Sequence, residues 1–189
     1  MSSVSLPHRT QRFYRLAASS FFFIHGIVFS SWASRIPDVK SALSLSDAQL
    51  GGVLFLIPAG QLSAMMLSGW LVNRFGSSQV IKGSGVILFI GFVLSVVFPS
   101  FYTAVAGFFL VGLGFSSIVP LCYSLAGKTT RMPPSMAVAT VSTIGFFGFL
   151  FTPPLIGFIS QASNMRVAFF IMACAGLSVS FVAAKAKAR

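Results

Sequence analysis

Charged side chains fall along this chain in a few short clusters, with long apolar runs between them. No Asp, Glu, Lys or Arg occurs from Ala17 to Ser34, Ala48 to Asn73, Gly83 to Gly127, Met132 to Met165 or Val167 to Ala184. A bilayer-spanning helix needs about 20 mostly apolar residues. The first, second and last runs hold one span each. The third holds two, divided at Pro99-Ser100, and the fourth opens with Pro133-Pro134 and holds one. The pattern predicts six helices over residues 16–35, 48–72, 82–98, 101–126, 135–159 and 166–184. In hydrocarbon the backbone must bond within a helix or a closed barrel, and continuous apolar runs lack barrel alternation. The chain therefore reads as an all-α membrane protein, a single transmembrane domain over residues 1–189.

Composition agrees with this reading. Charged residues make up 8% of the chain, apolar ones 56%, and there are 22 Phe. A soluble domain carries about 25% charged residues. The net charge of +11 suggests nucleic acid at first sight, yet no basic cluster with interleaved aromatics is present, and no nucleic-acid partner is expected. The positive-inside rule accounts for the charge. With the N-terminus in the cytoplasm, Arg9, Arg12, Arg15, Arg74, Lys82, Lys128, Arg131, Lys185, Lys187 and Arg189 lie inside, and Arg35, Lys40 and Arg166 outside. The only acids, Asp38 and Asp47, fall outside beside Arg35 and Lys40. Both termini are then cytoplasmic, and the expected location is the plasma (inner) membrane, with the lipid bilayer as obligatory partner. Residues Gly69 to Gly85, with Arg74 and Lys82, read as the cytoplasmic turn between helices 2 and 3. A cleaved signal peptide is the rival reading of the first helix, but Trp32 beside the cut argues against it. Cys122 and Cys174 lie in spans without metal-ligand spacing, so neither a metal nor a cofactor is expected.

An ionisable group inside a span is a functional candidate by default. His25 is the only titratable side chain deep in any span. It either contacts a polar solute or proton, or stays neutral and bonds a neighbour. No span contains Asp or Glu, which argues against a carboxylate proton relay. Gln61, Tyr123, Ser116, Ser117, Thr140, Ser142 and Thr143 are further polar groups in the spans, open to cavity lining or to helix–helix bonding. Gly60, Ala64 and Ser68 form a small-residue face suited to close packing. Pro58, Pro120 and Pro153-Pro154 each remove a backbone donor within helices 2, 4 and 5. No HExxH, paired acids or phosphate loop is present, so an enzyme is not expected.

Gly69-Trp70-Leu71-Val72-Asn73-Arg74-Phe75-Gly76 resembles the signature loop of the major facilitator superfamily, G-x-L-x-D-R-x-G followed by basic residues. In this sequence Asn73 takes the acidic position and Ser77-Ser78 the basic pair. The resemblance assigns Gly69 to close helix approach, Gly76 to a tight turn, and Asn73 and Arg74 to a weakened gating latch. Trp32-Ala33-Ser34-Arg35-Ile36-Pro37, with Leu43-Ser44-Leu45-Ser46 and Gln49-Leu50-Gly51, is similar to the helix 1–2 connection of bacterial permeases distantly related to fucose permeases. There Ile36-Pro37 closes helix 1, Ser46 caps helix 2, and Arg35 stands at the outer mouth of a cavity. Gly112 to Pro120 resembles helix 10 of such permeases. Gly145-Phe146-Phe147-Gly148 with Pro153 to Gly157 resembles helix 11, and Arg166-Val167-Ala168 the start of helix 12. The chain thus looks like helices 1–3 joined to helices 10–12, a six-helix half bundle.

The resemblance implies alternating-access transport of a small polar, sugar-like solute, with a homodimer completing the pathway. His25, Arg35, Gln61 and Tyr123 are the expected cavity contacts, and Gly69, Asn73, Arg74 and Gly76 the gating elements. The alternative is a non-transporting permease remnant or an accessory membrane subunit.

Overall fold

A computed structural model of the protein describes residues 8–97, 100–127, 132–162 and 165–187. Pro99, Lys128, Arg131 and Arg189, which carried part of the expected span boundaries and charge pattern, lie outside the described residues. Among those described the chain is helical and contains no strand: α1 (His8–Ser34), α2 (Ile36–Ala42), α3 (Asp47–Phe75), α4 (Ser77–Val97), α5 (Phe101–Phe115), α6 (Ile118–Gly127), α7 (Pro134–Ala162) and α8 (Met165–Lys187). Six segments are long and apolar enough to cross a bilayer: Tyr14–Ser34, Asp47–Phe75, Ser77–Val97, Phe101–Gly127, Pro134–Ile159 and Arg166–Ala184.

The helix ends follow local chemistry. Ser46 opens α3 with a capping box: its hydroxyl accepts from the Gln49 N–H at 3.3 Å, and Gln49 Oε1 accepts from the Ser46 N–H at 2.9 Å. Ser100 and Thr103 make the same reciprocal arrangement at the start of α5. Ile36-Pro37 opens the short α2 rather than a loop, the proline sitting where no helical N–H is needed.

One boundary departs from expectation. The region between helices 2 and 3, predicted as an extended turn, is reduced to Gly76. Its φ of 81° lies in the region favoured by glycine. Its N–H bonds the Val72 carbonyl, and its own carbonyl starts α4 by accepting from Gln79 and Val80. A single residue reverses the chain, so the polar stretch around Gln79 and Lys82 stays helical.

The fourth span is broken, with α5 ending at Phe115 and α6 starting at Ile118. The proline at position 120 has no N–H to offer the Ser116 carbonyl one turn back. The Ser116 N–H and hydroxyl both turn to the Leu113 carbonyl instead.

The spans pair in a regular way. α1 packs chiefly on α7, α3 on α5, α4 on α8 and on α5, and α1 also on α8 and α6. Numbering the spans one to six, these pairs are 1–5, 2–4, 3–6, 3–4, 1–6 and 1–4. Exchanging the first three spans with the last three leaves that set unchanged, the pattern of two structurally repeated three-helix units. Large side chains fill the centre: Phe21, Phe92, Phe108, Phe115 and Phe169 are all fully buried. Some contacts are backbone to backbone. A Cβ on Gly60 would overlap the Phe109 carbonyl of α5, and one on Gly112 would overlap the Ile57 carbonyl of α3. By contrast α3 and α7 keep much of their apolar surface uncovered, including Phe55, Leu62, Met66, Phe146, Leu150 and Phe158.

Candidate functional site

His25 lies midway along α1. The α1 face made by Phe22, His25, Phe29 and Trp32 steps by three or four residues, so the rings stack along the helix. The His25 ring stands 6.0 Å from Phe22 and 6.1 Å from Phe29, with its edge 4.9 Å from Phe115 of α5. A cavity of about 270 Å³ opens beside it, shared by His25, Phe22 and Phe29 from α1, Gln61 from α3, and Phe146 and Phe149 from α7. Two glycines, Gly26 and Gly145, complete the wall. A Cβ on Gly145 would overlap the Phe22 ring, and one on Gly26 the Gly145 carbonyl. The glycines therefore set how closely α1 and α7 approach behind the cavity.

Chemically the cavity is aromatic with two neutral polar groups. His25 Nδ1 is buried and has no hydrogen-bond partner. A buried polar atom left unpaired costs about 1–3 kcal/mol. Gln61 sits one turn beyond Pro58 and brings a side-chain amide, able both to donate and to accept. No charged side chain lines the space.

Tyr123 of α6 stands behind the wall rather than in it. Its ring packs on Phe22 at 5.5 Å, and its hydroxyl accepts from Ser142 Oγ of α7 at 3.1 Å. Arg35 is elsewhere. It lies ten residues beyond His25, about 15 Å along the axis at helical rise, and Nη1 holds Asp38 at 2.9 Å. The short α2 turns Asp38 back onto Arg35, while Lys40 pairs with Asp47 across the α2–α3 link. Of the four expected cavity contacts, His25 and Gln61 come together, Tyr123 supports them from behind, and Arg35 does not reach the cavity.

The expected gating segment lies at the far end of α3. Arg74 Cζ is 5.5 Å from the Trp70 ring centre and 5.9 Å from that of Phe75, cation–π distances. Asn73 is exposed, and its side chain makes no hydrogen bond among the described residues. Gly76 forms the tight turn. The close approach expected at Gly69 is absent, since a Cβ there would meet nothing within 4 Å. Gly60, nine residues earlier, makes the close contact instead, against the Phe109 carbonyl of α5. Thr140 and Thr143 bond the Met136 and Ala139 carbonyls of their own helix.

The aromatic wall escaped the sequence reading. Its only signal was the three-to-four residue spacing of Phe22, Phe29 and Trp32 around His25. With 22 Phe in the chain, that spacing does not stand out.

Six apolar spans among the described residues, in two exchanging triplets with an aromatic-walled cavity between the first, second and fifth, define a polytopic helical membrane protein of permease type. The chain belongs to the Major Facilitator Superfamily, whose family model matches residues 18–187. It is 36% identical over 158 residues to an uncharacterized MFS-type transporter of Yersinia pestis, covering 83% of this chain and 40% of that protein. It is 33% identical over 138 residues to an uncharacterized transporter of Sinorhizobium fredii, covering 73% and 35%. The membrane protein MosC of Rhizobium meliloti is 32% identical over 133 residues, covering 69% and 32%. The chain thus spans well under half the length of these relatives. In fold it is similar to the POT family transporter PepTSo, with a TM-score of 0.74 at 19% identity, covering 97% of this chain and 38% of that one.

Proposed function

We propose that the chain serves transport of a small, uncharged, polar solute of sugar-like character by alternating access, with the cavity beside His25 as its binding site. The observation that carries this reading is the His25 ring, its Nδ1 buried and partnerless among the described residues, lining a space shared with Gln61 and walled by Phe22, Phe29 and Phe149. A sugar has a C–H face that packs on aromatic rings and hydroxyls that bond imidazole and amide together. A charged solute would find no counter-ion in this cavity. Tyr123 steadies the Phe22 wall, Arg35 and Asp38 stand at the outer end, and the segment Gly69 to Gly76, with Asn73 and Arg74, bends as the helices rock.

Ten cationic residues against three orient the chain with both termini in the cytoplasm of a cell's plasma membrane. The uncovered faces of α3 and α7 flank the cavity, and a second copy seated there would close the pathway as a homodimer. The same uncovered faces also suit an accessory subunit that packs against a different membrane protein. Crosslinking in lipid separates these readings: a covalent pair of identical chains supports the dimer, and a mixed product the accessory role.

Transport is tested by uptake of radiolabelled hexoses and polyols into proteoliposomes. His25→Ala and Gln61→Ala should each lower the specificity for the transported solute by about tenfold, the loss of one hydrogen bond to a buried partner. Uptake by both variants equal to wild type would remove this cavity from the mechanism.

A further inference from the structure

A second cavity lies nearer the C-terminal end of α3. From Gly76, α3 and α4 diverge and make few contacts along their length, and the α5–α6 span closes the wedge between them. The wedge encloses about 340 Å³, within the range of small-molecule sites. Leu71 of α3, Val80 and Ile87 of α4 and Leu113 of α5 make most of its wall. Its buried polar groups gather on one side: Ser84 of α4 faces Ser116 and Ser117 at the break in the fourth span.

These hydroxyls are not equally engaged. Ser116 donates to the Leu113 carbonyl at 2.7 Å, and Ser117 has only the Ser116 oxygen, 3.4 Å away. Ser84 is 5% exposed, and its hydroxyl has no hydrogen-bond partner among the described residues. Ser117 immediately precedes α6, a helix of ten residues, so the unbonded N–H groups and positive dipole end of α6 begin beside the same serines. Arg74 lies over the Phe75 ring at the rim. Both acids of the chain are a helix length away, Asp38 in α2 and Asp47 at the start of α3, already held by Arg35 and Lys40. No acid lines the wedge, while the carbonyl end of α5 meets the same break and offsets part of the α6 dipole.

We propose that the wedge between α3, α4 and the α5–α6 break binds a small carboxylate with an apolar body. Its oxygens accept from the Ser84 and Ser117 hydroxyls and the first N–H groups of α6, the donor set that suits an anion at a helix start. Its body packs on Leu71, Val80 and Leu113. This site shares no lining residue with the His25 cavity and stands whether or not that cavity carries a solute.

Equilibrium binding of radiolabelled benzoate to the full chain in nanodiscs of zwitterionic lipid tests it, at about pH 7.5 where the acid is ionised. Acyl chains are then present to compete for the apolar wall. Binding should be saturable, weakened about tenfold in Ser84→Ala, and not displaced by benzamide, which has the same shape without the charge. Gly83 also lines the wedge, and a Cβ there meets nothing within 4 Å. Gly83→Leu has room for its Cβ and adds bulk at the wedge wall, and should abolish binding in a monodisperse protein even if Ser84→Ala fails to fold. Displacement of benzoate by oleate would make a membrane fatty acid the natural source, and its absence a soluble acid; either keeps the carboxylate site. No saturable binding, undiminished binding in Gly83→Leu, or equal competition by benzamide overturns the proposal.

Discussion

A methyl group added at Gly60 would overlap the Phe109 carbonyl, whereas one added at Gly69 would meet nothing. Both glycines lie within α3, so the helix-propensity gain of alanine is the same for each, up to about 1 kcal/mol. At Gly60 that gain is outweighed, because α3 must move off α5 and overpacking costs about 1–3 kcal/mol. Thermal unfolding in a single detergent should therefore show Gly60→Ala melting below wild type and Gly69→Ala at or above it. Equal melting temperatures would mean that α3 and α5 do not cross where described. His25 was legible in the sequence because it is the only histidine deep in a span among the described residues. Arg35 was misplaced for a physical reason: nothing in the linear sequence shows that α2 would fold Asp38 back onto it.

Helix ends were readable where a side chain makes them and obscure where only a torsion does. Ser46 announces its capping box through Gln49 three residues on, and the structure forms both bonds. No side chain marks Gly76, and only the resemblance to the signature loop assigned it a tight turn, which its φ of 81° forms. With ψ of 152°, an L-residue there costs about 1–3 kcal/mol. Gly76→Ala should lower the unfolding temperature in detergent, while Gly83→Ala, with open space around it, should not. An undiminished melting point for Gly76→Ala would show that the α3–α4 junction adopts another conformation. The break at Ser116-Ser117 was foreshadowed by Pro120, which loosens the turn before it. The cavity that the break helps to line was not, because it depends on α3 and α4 diverging rather than on either helix alone.

Across the whole molecule, the count and order of spans follow from the charge-free runs, since lipid leaves a long apolar segment few alternatives to a helix. Pairing was harder to read: apolar faces all around each span hide which neighbour it will choose. The exchange symmetry between the two triplets appears only once α1 is seen on α7 and α3 on α5. Orientation is open to direct measurement. Reporter tags inserted after Lys40 and after Lys128 should label from opposite sides of the membrane, with the N-terminal tag on the Lys128 side. Labelling of both from one side would refute the proposed topology. The one-residue join at Gly76 bears on how the chain is made. Asn73, Arg74, Gln79 and Lys82 are all helical, so no loop separates α3 from α4 that could rest at the surface while the first waits for the second. In the proposed orientation the two segments enter the bilayer together as a bent hairpin, with Arg74 left behind on the side where synthesis takes place.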